Sequence, residues 1–221
     1  MSDVSSAING IIPYIKASVV AVEFAGNDEA EIFTRDGNSV NSEKIKFSPF
    51  LLITNAELLR EFKQSHEIVV LNGDNKFKYL IKFRDISSYE EAIIFLNKTF
   101  KTTPSAPNAP YRVFTDIQQQ ILIESEIRLF RGMVFSEIRR MQFDIETLTT
   151  DGYEFPNALR PGDKIAAISM SDSTGWEKCL ILDGKTTEEE LLREFVSIVK
   201  ERDPDVLEGH NIFRFDLPFI E

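Results

Sequence analysis

A single cysteine, Cys179, and two histidines, His66 and His210, leave this 221-residue chain short of the residues that several chemistries require. One thiol can form neither an internal disulfide framework nor a cysteine-based zinc site. So few cysteines and histidines give little support to a nucleophilic triad. The longest apolar runs, such as Phe50-Leu51-Leu52-Ile53, fall far below the roughly 20 residues that span a bilayer. The opening Met1-Ser2-Asp3-Val4-Ser5-Ser6 is polar and acidic. It lacks the basic, apolar and small-residue pattern of a secretory leader, so an intracellular chain is expected. Cys179 stands in the apolar run Cys179-Leu180-Ile181-Leu182 and is expected in a core.

Apolar residues, by contrast, are plentiful. They make up 43% of the chain and include 18 Phe, enough for two modest cores and too many for general disorder. Net charge is −11, and it is unevenly placed. Residues 1–140 carry 17 Lys+Arg against 18 Asp+Glu, a balance of −1, and residues 141–221 carry 8 against 18, a balance of −10. The second segment should repel phosphate unless cations or basic neighbours offset it.

Periodicity divides the chain in the same place. In the first part, strands are expected at 18–24, 31–34, 44–47, 50–54, 68–71 and 77–83. Gly26-Asn27-Asp28 and Asn72-Gly73-Asp74-Asn75 supply turns. Helical spacing runs over 56–64, over 89–100 with Ser87 or Ser88 as cap, and over 117–123. A Pro-rich stretch at 101–110 reads as linker. In the second part, strands at 139–146, 164–170 and 179–182 precede a helix opened by Thr187 and Glu190, a capping-box pair. Asp203-Pro204 stops that helix, and a short strand at Val206-Leu207 follows. The expected domains are 1–103, a linker and lead-in at 104–137, and 138–221.

On the strand expected at 77–83, Lys76, Lys78, Lys82 and Arg84 alternate with apolar residues. They form a candidate basic stripe for nucleic-acid phosphates, although a solvated strand face has the same pattern.

The chemistry-bearing pattern lies in the second part. Within Met141-Gln142-Phe143-Asp144-Ile145-Glu146, apolar and polar residues alternate, so a strand would project Asp144 and Glu146 from one face. Two carboxylates so close repel, and a cation between them relieves the repulsion. A second acidic motif, Asn211-Ile212-Phe213-Arg214-Phe215-Asp216, begins 67 positions after Asp144. Asp216 there opens a helix whose first turn holds Pro218. Three oxygen-donor residues of this kind suit Mg²⁺ or Mn²⁺.

These two motifs resemble the first two exonuclease motifs of family B DNA polymerases, Asp-x-Glu and Asn-x-x-x-Phe-Asp. The run Leu129-Phe130-Arg131-Gly132-Met133-Val134-Phe135 resembles the lead-in to the first. The resemblance implies an α+β N-terminal domain. After it comes an α/β ribonuclease H-like exonuclease domain with a mixed sheet, truncated on its C-terminal side. It implies 3′→5′ proofreading hydrolysis with two Mg²⁺ or Mn²⁺ ions on Asp144, Glu146 and Asp216, and Asn211 and Phe215 at the substrate. DNA (a primer 3′ end and single-stranded template) and the remaining polymerase domains are the implied partners. The implied location is intracellular, and in a prokaryote cytoplasmic and nucleoid-associated, without a membrane. The family's third motif, Tyr-x-x-x-Asp, does not occur before Glu221. An N-terminal fragment with little nuclease activity of its own is therefore expected. The alternative is a non-catalytic nucleic-acid-binding or polymerase-assembly module of the same fold.

Overall fold

The computed structural model describes residues 18–26 and 28–221. Contacts divide the chain into two units, Met1–Gly132 and Met133–Glu221. In the first, β1 (Val19–Gly26), β2 (Glu29–Asp36) and β3 (Ser39–Lys46) form an antiparallel sheet in that order. Gly26, at φ 101°, supplies the left-handed residue of the expected first turn, while Asn27 lies outside the described residues. A second sheet has the order β5-β6-β4-β7, from β4 (Phe50–Ile53), β5 (His66–Val70), β6 (Tyr79–Phe83) and β7 (Tyr111–Val113). Helix α1 (Ile86–Phe100) places Tyr89, Ala92 and Leu96 against Leu51, Ile53, Ile81 and Phe83 of this sheet. Helix α2 (Ile117–Glu124) packs Ile121 with Val19, Val22 and Ile32 of the first.

Three local expectations change. Asp85 caps α1 through Ser88 N at 2.8 Å, one turn before the expected helix start, so both serines lie in the first turn. The Ser88 backbone N–H holds the Asp85 carboxyl below the usual range. Only a 3₁₀ turn, Ala56–Leu59, forms within 56–64, because His66 must already pair with Phe83 on β6. Just after the Pro-rich stretch, within the 104–137 linker and lead-in, the chain forms β7, whose Leu52↔Arg112 register completes the second sheet.

One buried amide ties the first unit together. Gln120 is fully buried on α2. Its Oε1 accepts from Phe50 N at 2.8 Å, and its Nε2 donates to Phe114 O at 2.8 Å and to Tyr89 Oη at 3.1 Å. A helix on one sheet thereby satisfies polar groups of the other sheet and its helix. Burial pushes the Tyr89 phenol up to about 12, with the Gln120 bond opposing.

In the second unit, β8 (Arg140–Leu148), β9 (Lys164–Asp172) and β10 (Glu177–Ile181) pair antiparallel. Helix α3 (Glu188–Arg202) follows, and β11 (Val206–Glu208) then pairs parallel with β8, giving the order β10-β9-β8-β11. The capping box forms as expected, with Thr187 N donating to Glu190 Oε2 at 2.9 Å and Glu190 N to Thr187 Oγ1 at 3.2 Å. Met141, Phe143 and Ile145 of β8 pack with Leu191, Phe195 and Ile198 of α3. At the helix end, Arg202 Nε donates to Asp172 Oδ2 at 2.8 Å. Burial alone would raise the Asp172 carboxyl; bonds from Thr174 and Arg202 hold it down at about 2. Helix α4 (Asp216–Ile220) ends the chain. Among the described residues no helix is long and apolar enough to cross a membrane.

Cys179 is exposed, contrary to the expected core placement. On the edge strand β10 only Leu180 turns inward, and the pleat sends Cys179 to the opposite face.

Replacing Gln120 by Leu leaves the buried Phe50 N–H without its acceptor, while the Phe114 carbonyl keeps the Tyr89 hydroxyl as a donor. Such a loss costs about 1–3 kcal/mol. Gln120→Leu should therefore lower the urea midpoint of the first unit by an equivalent amount, with little change at the second.

Candidate functional site

Strand β8 sorts its residues by the pleat. Met141, Phe143 and Ile145 are at most 4% exposed, whereas Gln142, Asp144 and Glu146 face solvent. Burying each of the three apolar side chains contributes about 1.5–3 kcal/mol. That holds the carboxylates in register, since a one-residue slip would expose the core row. The register between β8 and β9 shifts after Glu146, and such a bulge re-aims the strand where the acidic residues end.

β11 pairs with β8 only from Arg140 to Gln142. Beyond that point the β8 edge is met by the chain that follows β11. A Cβ on Gly209 would lie 2.6 Å from Phe143 O, so here a glycine is required by close approach. Asn211 takes φ 57°, a conformation Asn tolerates well, and its carbonyl accepts from Arg214 N and Phe215 N. The turn delivers Asp216, 1% exposed, to β8, where its Oδ1 accepts from Ile145 N at 3.2 Å. The second motif's carboxylate is thus bonded to the residue between Asp144 and Glu146. Its other oxygen, Oδ2, is buried without a hydrogen-bond partner.

That orphaned oxygen, together with an all-oxygen donor set, fits a hard divalent cation. Among the described residues, no group of three or more His, Cys, Asp or Glu is already gathered to hold a metal. Donor chemistry therefore fits, while Asp144 and Glu146 stand on the open face and Asp216 in the edge.

The other expected residues separate. Asn211 is exposed beside the site. Phe215 packs against the core, its ring 5.3 Å from Phe219. Lys76 and Lys78 precede β6, so the basic stripe does not form on one strand. Lys76 Nζ donates to Pro107 O and Ala109 O, and Lys78 Nζ to Gly73 O. Lys82 pairs with Glu124 at 3.1 Å, and Arg84 with Asp85 at 3.3 Å.

The open face of the β10-β9-β8-β11 sheet forms a groove of about 980 Å³. Across its floor, Cys179, Ser169 and Asp144 lie in one cross-strand row. Glu208 and His210 stand on the β11 side. Glu208 is engaged by Arg140 at 2.9 Å, and the Arg140 guanidinium lies 4.0 Å from the Phe135 ring centroid. Gly209 and His210 directly precede Asn211 in the sequence, and that adjacency was the signal available for them.

The loop 149–163, joining β8 to β9, is organised by one carboxylate. Asp163 accepts from Thr150 N, Thr150 Oγ1, Asn157 N and Arg160 Nη1 at 2.6–2.9 Å. Burial by itself would raise the Asp163 carboxyl, but these bonds hold it at about 2.

Residues 112–221 match the family described as DNA polymerase family B, exonuclease domain. The DNA polymerase of Thermococcus gorgonarius is 35% identical over an alignment of 92 residues that covers 38% of this chain and 11% of that protein. That of Thermococcus kodakarensis is also 35% identical over an alignment of 92 residues, covering 38% of this chain and 5% of its own length. The solved family B DNA polymerase of the hyperthermophilic archaeon Pyrobaculum calidifontis matches with a TM-score of 0.55 and 20% identity. That match covers 92% of this chain and 31% of the other, and at such identity it speaks for fold alone. The chain thus aligns with a minor part of each relative's length.

Two outcomes follow from this geometry. Gly209→Ala should displace the turn from Phe143 O and cost about 1–3 kcal/mol, read as a lower melting temperature, with weakened hydrogen-exchange protection at Ile145 N. Asp163 is depressed in the folded state, so its contribution is complete above about pH 4 and is lost as pH falls toward about 2. Proteolysis within 149–163 should rise over that interval, and Asp163→Asn should show the same susceptibility already at neutral pH.

Proposed function

We propose that the chain, whose residues 112–221 match the exonuclease domain of DNA polymerase family B, is part of such a polymerase and that this segment serves 3′→5′ proofreading of a DNA primer in the full protein. The reaction is hydrolysis of the terminal phosphodiester. Water attacks phosphorus, the bond to the preceding 3′ oxygen breaks, and a deoxynucleoside 5′-monophosphate leaves. Three antiparallel strands, a helix and a fourth strand parallel to the first support a ribonuclease H-like reading of the segment. One observation carries the proposal. The buried Asp216 carboxylate sits on Ile145 N, between Asp144 and Glu146, with one oxygen unpartnered.

Asp144, Glu146 and Asp216 would hold Mg²⁺ or Mn²⁺, which when bound supplies charge neutralisation and an activated water. The protein's own contribution is orientation. The core row of β8 sets the direction of Asp144 and Glu146, and the Ile145 N–H fixes the Asp216 carboxylate. Asn211, exposed at the turn, would meet the strand end. The acidic groove favours a substrate accompanied by cations and disfavours bare phosphate. DNA and the other polymerase domains are the proposed partners.

Metal-dependent melting tests the reading. Mn²⁺ at about 100 times its Kd should stabilise the chain by about 2.7 kcal/mol, a rise of several degrees for a protein of this size. Asp216→Asn keeps the acceptor for Ile145 N while removing the charge. It should raise the melting temperature in chelator and abolish the Mn²⁺ response, and Asp144→Asn should weaken that response. Glu57→Gln, in the other unit, should leave it intact. A Mn²⁺ response equal in all four proteins would sink the assignment of the carboxylates. Oligonucleotide binding without any metal response would favour the non-catalytic module.

A further inference from the structure

The groove over the sheet contains a residue that the carboxylate site does not use. Its lining is rich in acidic groups: Asp144 on β8, Glu177 on β10 and Glu208 on β11. A phosphodiester entering such a groove needs N–H or O–H donors to offset these charges. Most of the candidate donors are already engaged. Lys178 Nζ is paired with Glu194 at 2.6 Å. Gln142 Nε2 donates to Glu208 at 3.3 Å, and Ser169 Oγ points to Cys179 Sγ at 3.7 Å. The Ser171 hydroxyl and the His210 imidazole remain, neither with a side-chain hydrogen-bond partner among the described residues; Ser171 is half-buried on β9, whereas His210 is exposed in the groove wall.

Its position is also well determined. Gly209 lies so near Phe143 O that a side chain there would collide with the backbone, and Asn211 on the other side occupies a left-handed conformation. His210 is therefore held between two constrained residues, at the same edge of β8 that receives Asp216. An imidazole retains at least one N–H donor in either protonation state.

We propose that His210 is the phosphate-contacting residue of this groove, donating an N–H to the backbone of a single DNA strand whose 3′ end lies toward Asp144. The assignment rests on the nuclease reading and adds to Asn211 a second protein group that holds the strand. His210 is a substrate-binding residue here and carries no proton in the reaction.

The two histidines of the chain make the test direct, because each gives separate imidazole signals and His66 lies in the other unit. Tetrathymidylate with a free 3′ hydroxyl is titrated into the full 221-residue chain and followed by proton–carbon NMR. The His210 ring signals should move with saturation while those of His66 stay, and the spectrum of His210→Gln fixes the assignment. His210→Ala should bind the tetranucleotide about tenfold more weakly, with an unchanged melting temperature and an unchanged Mn²⁺ response. Movement of the Gln142 and Asp144 amides with stationary His210 signals would overturn the proposal while leaving the strand in the groove. A titration that moves no groove signal also overturns it, and the Mn²⁺ response of Asp144 and Asp216 then decides separately whether the nuclease reading stands.

Discussion

The pleat of β8 is the constraint on which the site depends. One face of this strand must bury Met141, Phe143 and Ile145 against α3. The other face then has to carry Gln142, Asp144 and Glu146 into solvent. Carboxylates placed side by side resist folding by their repulsion, and the apolar row opposite them outweighs that cost. The backbone of the same strand does a second task. Its edge runs on past the three-residue pairing with β11, and the Ile145 N–H left free there is taken by Asp216. A short parallel pairing thus makes room for a side chain from the second motif.

Polar groups in the interior decide how the elements join. In the first unit, Gln120 satisfies Phe50 N and Phe114 O and meets the Tyr89 hydroxyl, so α2 is specified by hydrogen bonds as well as by Ile121. In the second, Asp163 gathers four donors into the β8–β9 loop, and Asp172 joins the β9–β10 turn to the end of α3 through Arg202. Each of these groups is satisfied where it is buried, as stability demands. Among the described residues Asp216 Oδ2 is one departure, as is Arg140 Nε, and the Asp216 oxygen falls within the candidate site. Departures of that kind are where a protein gives up stability for function.

Charge follows the same division. The balance of −10 over residues 141–221 is partly consumed in internal contacts, as with Glu208 and Arg140, Glu194 and Lys178, and Glu189 and Arg193. Asp144 and Glu177 remain in the groove lining, and His210 stands beside them. The basic residues of the first unit behave alike: Lys76, Lys78, Lys82 and Arg84 each answer a carbonyl or carboxylate nearby.

Sequence alone was sufficient for what depends on local periodicity and capping. The alternation at 141–146, the Thr187–Glu190 box and the Asn-Gly turn between β5 and β6 each involve neighbours along the chain. The shared direction of Asp144 and Glu146 was legible for the same reason. Cys179 was not, because a strand's edge position decides whether both its faces are covered, and β10 lies at the edge. Nor was the fate of residues 111–124, whose pairing with β4 and packing on β1 join segments far apart in the chain. The docking of Asp216 on Ile145, 71 positions away, belongs to this second class. A hydrogen bond between distant residues exists only once the backbone has brought them together, and here the brief β8–β11 pairing and the bare Cα of Gly209 do so.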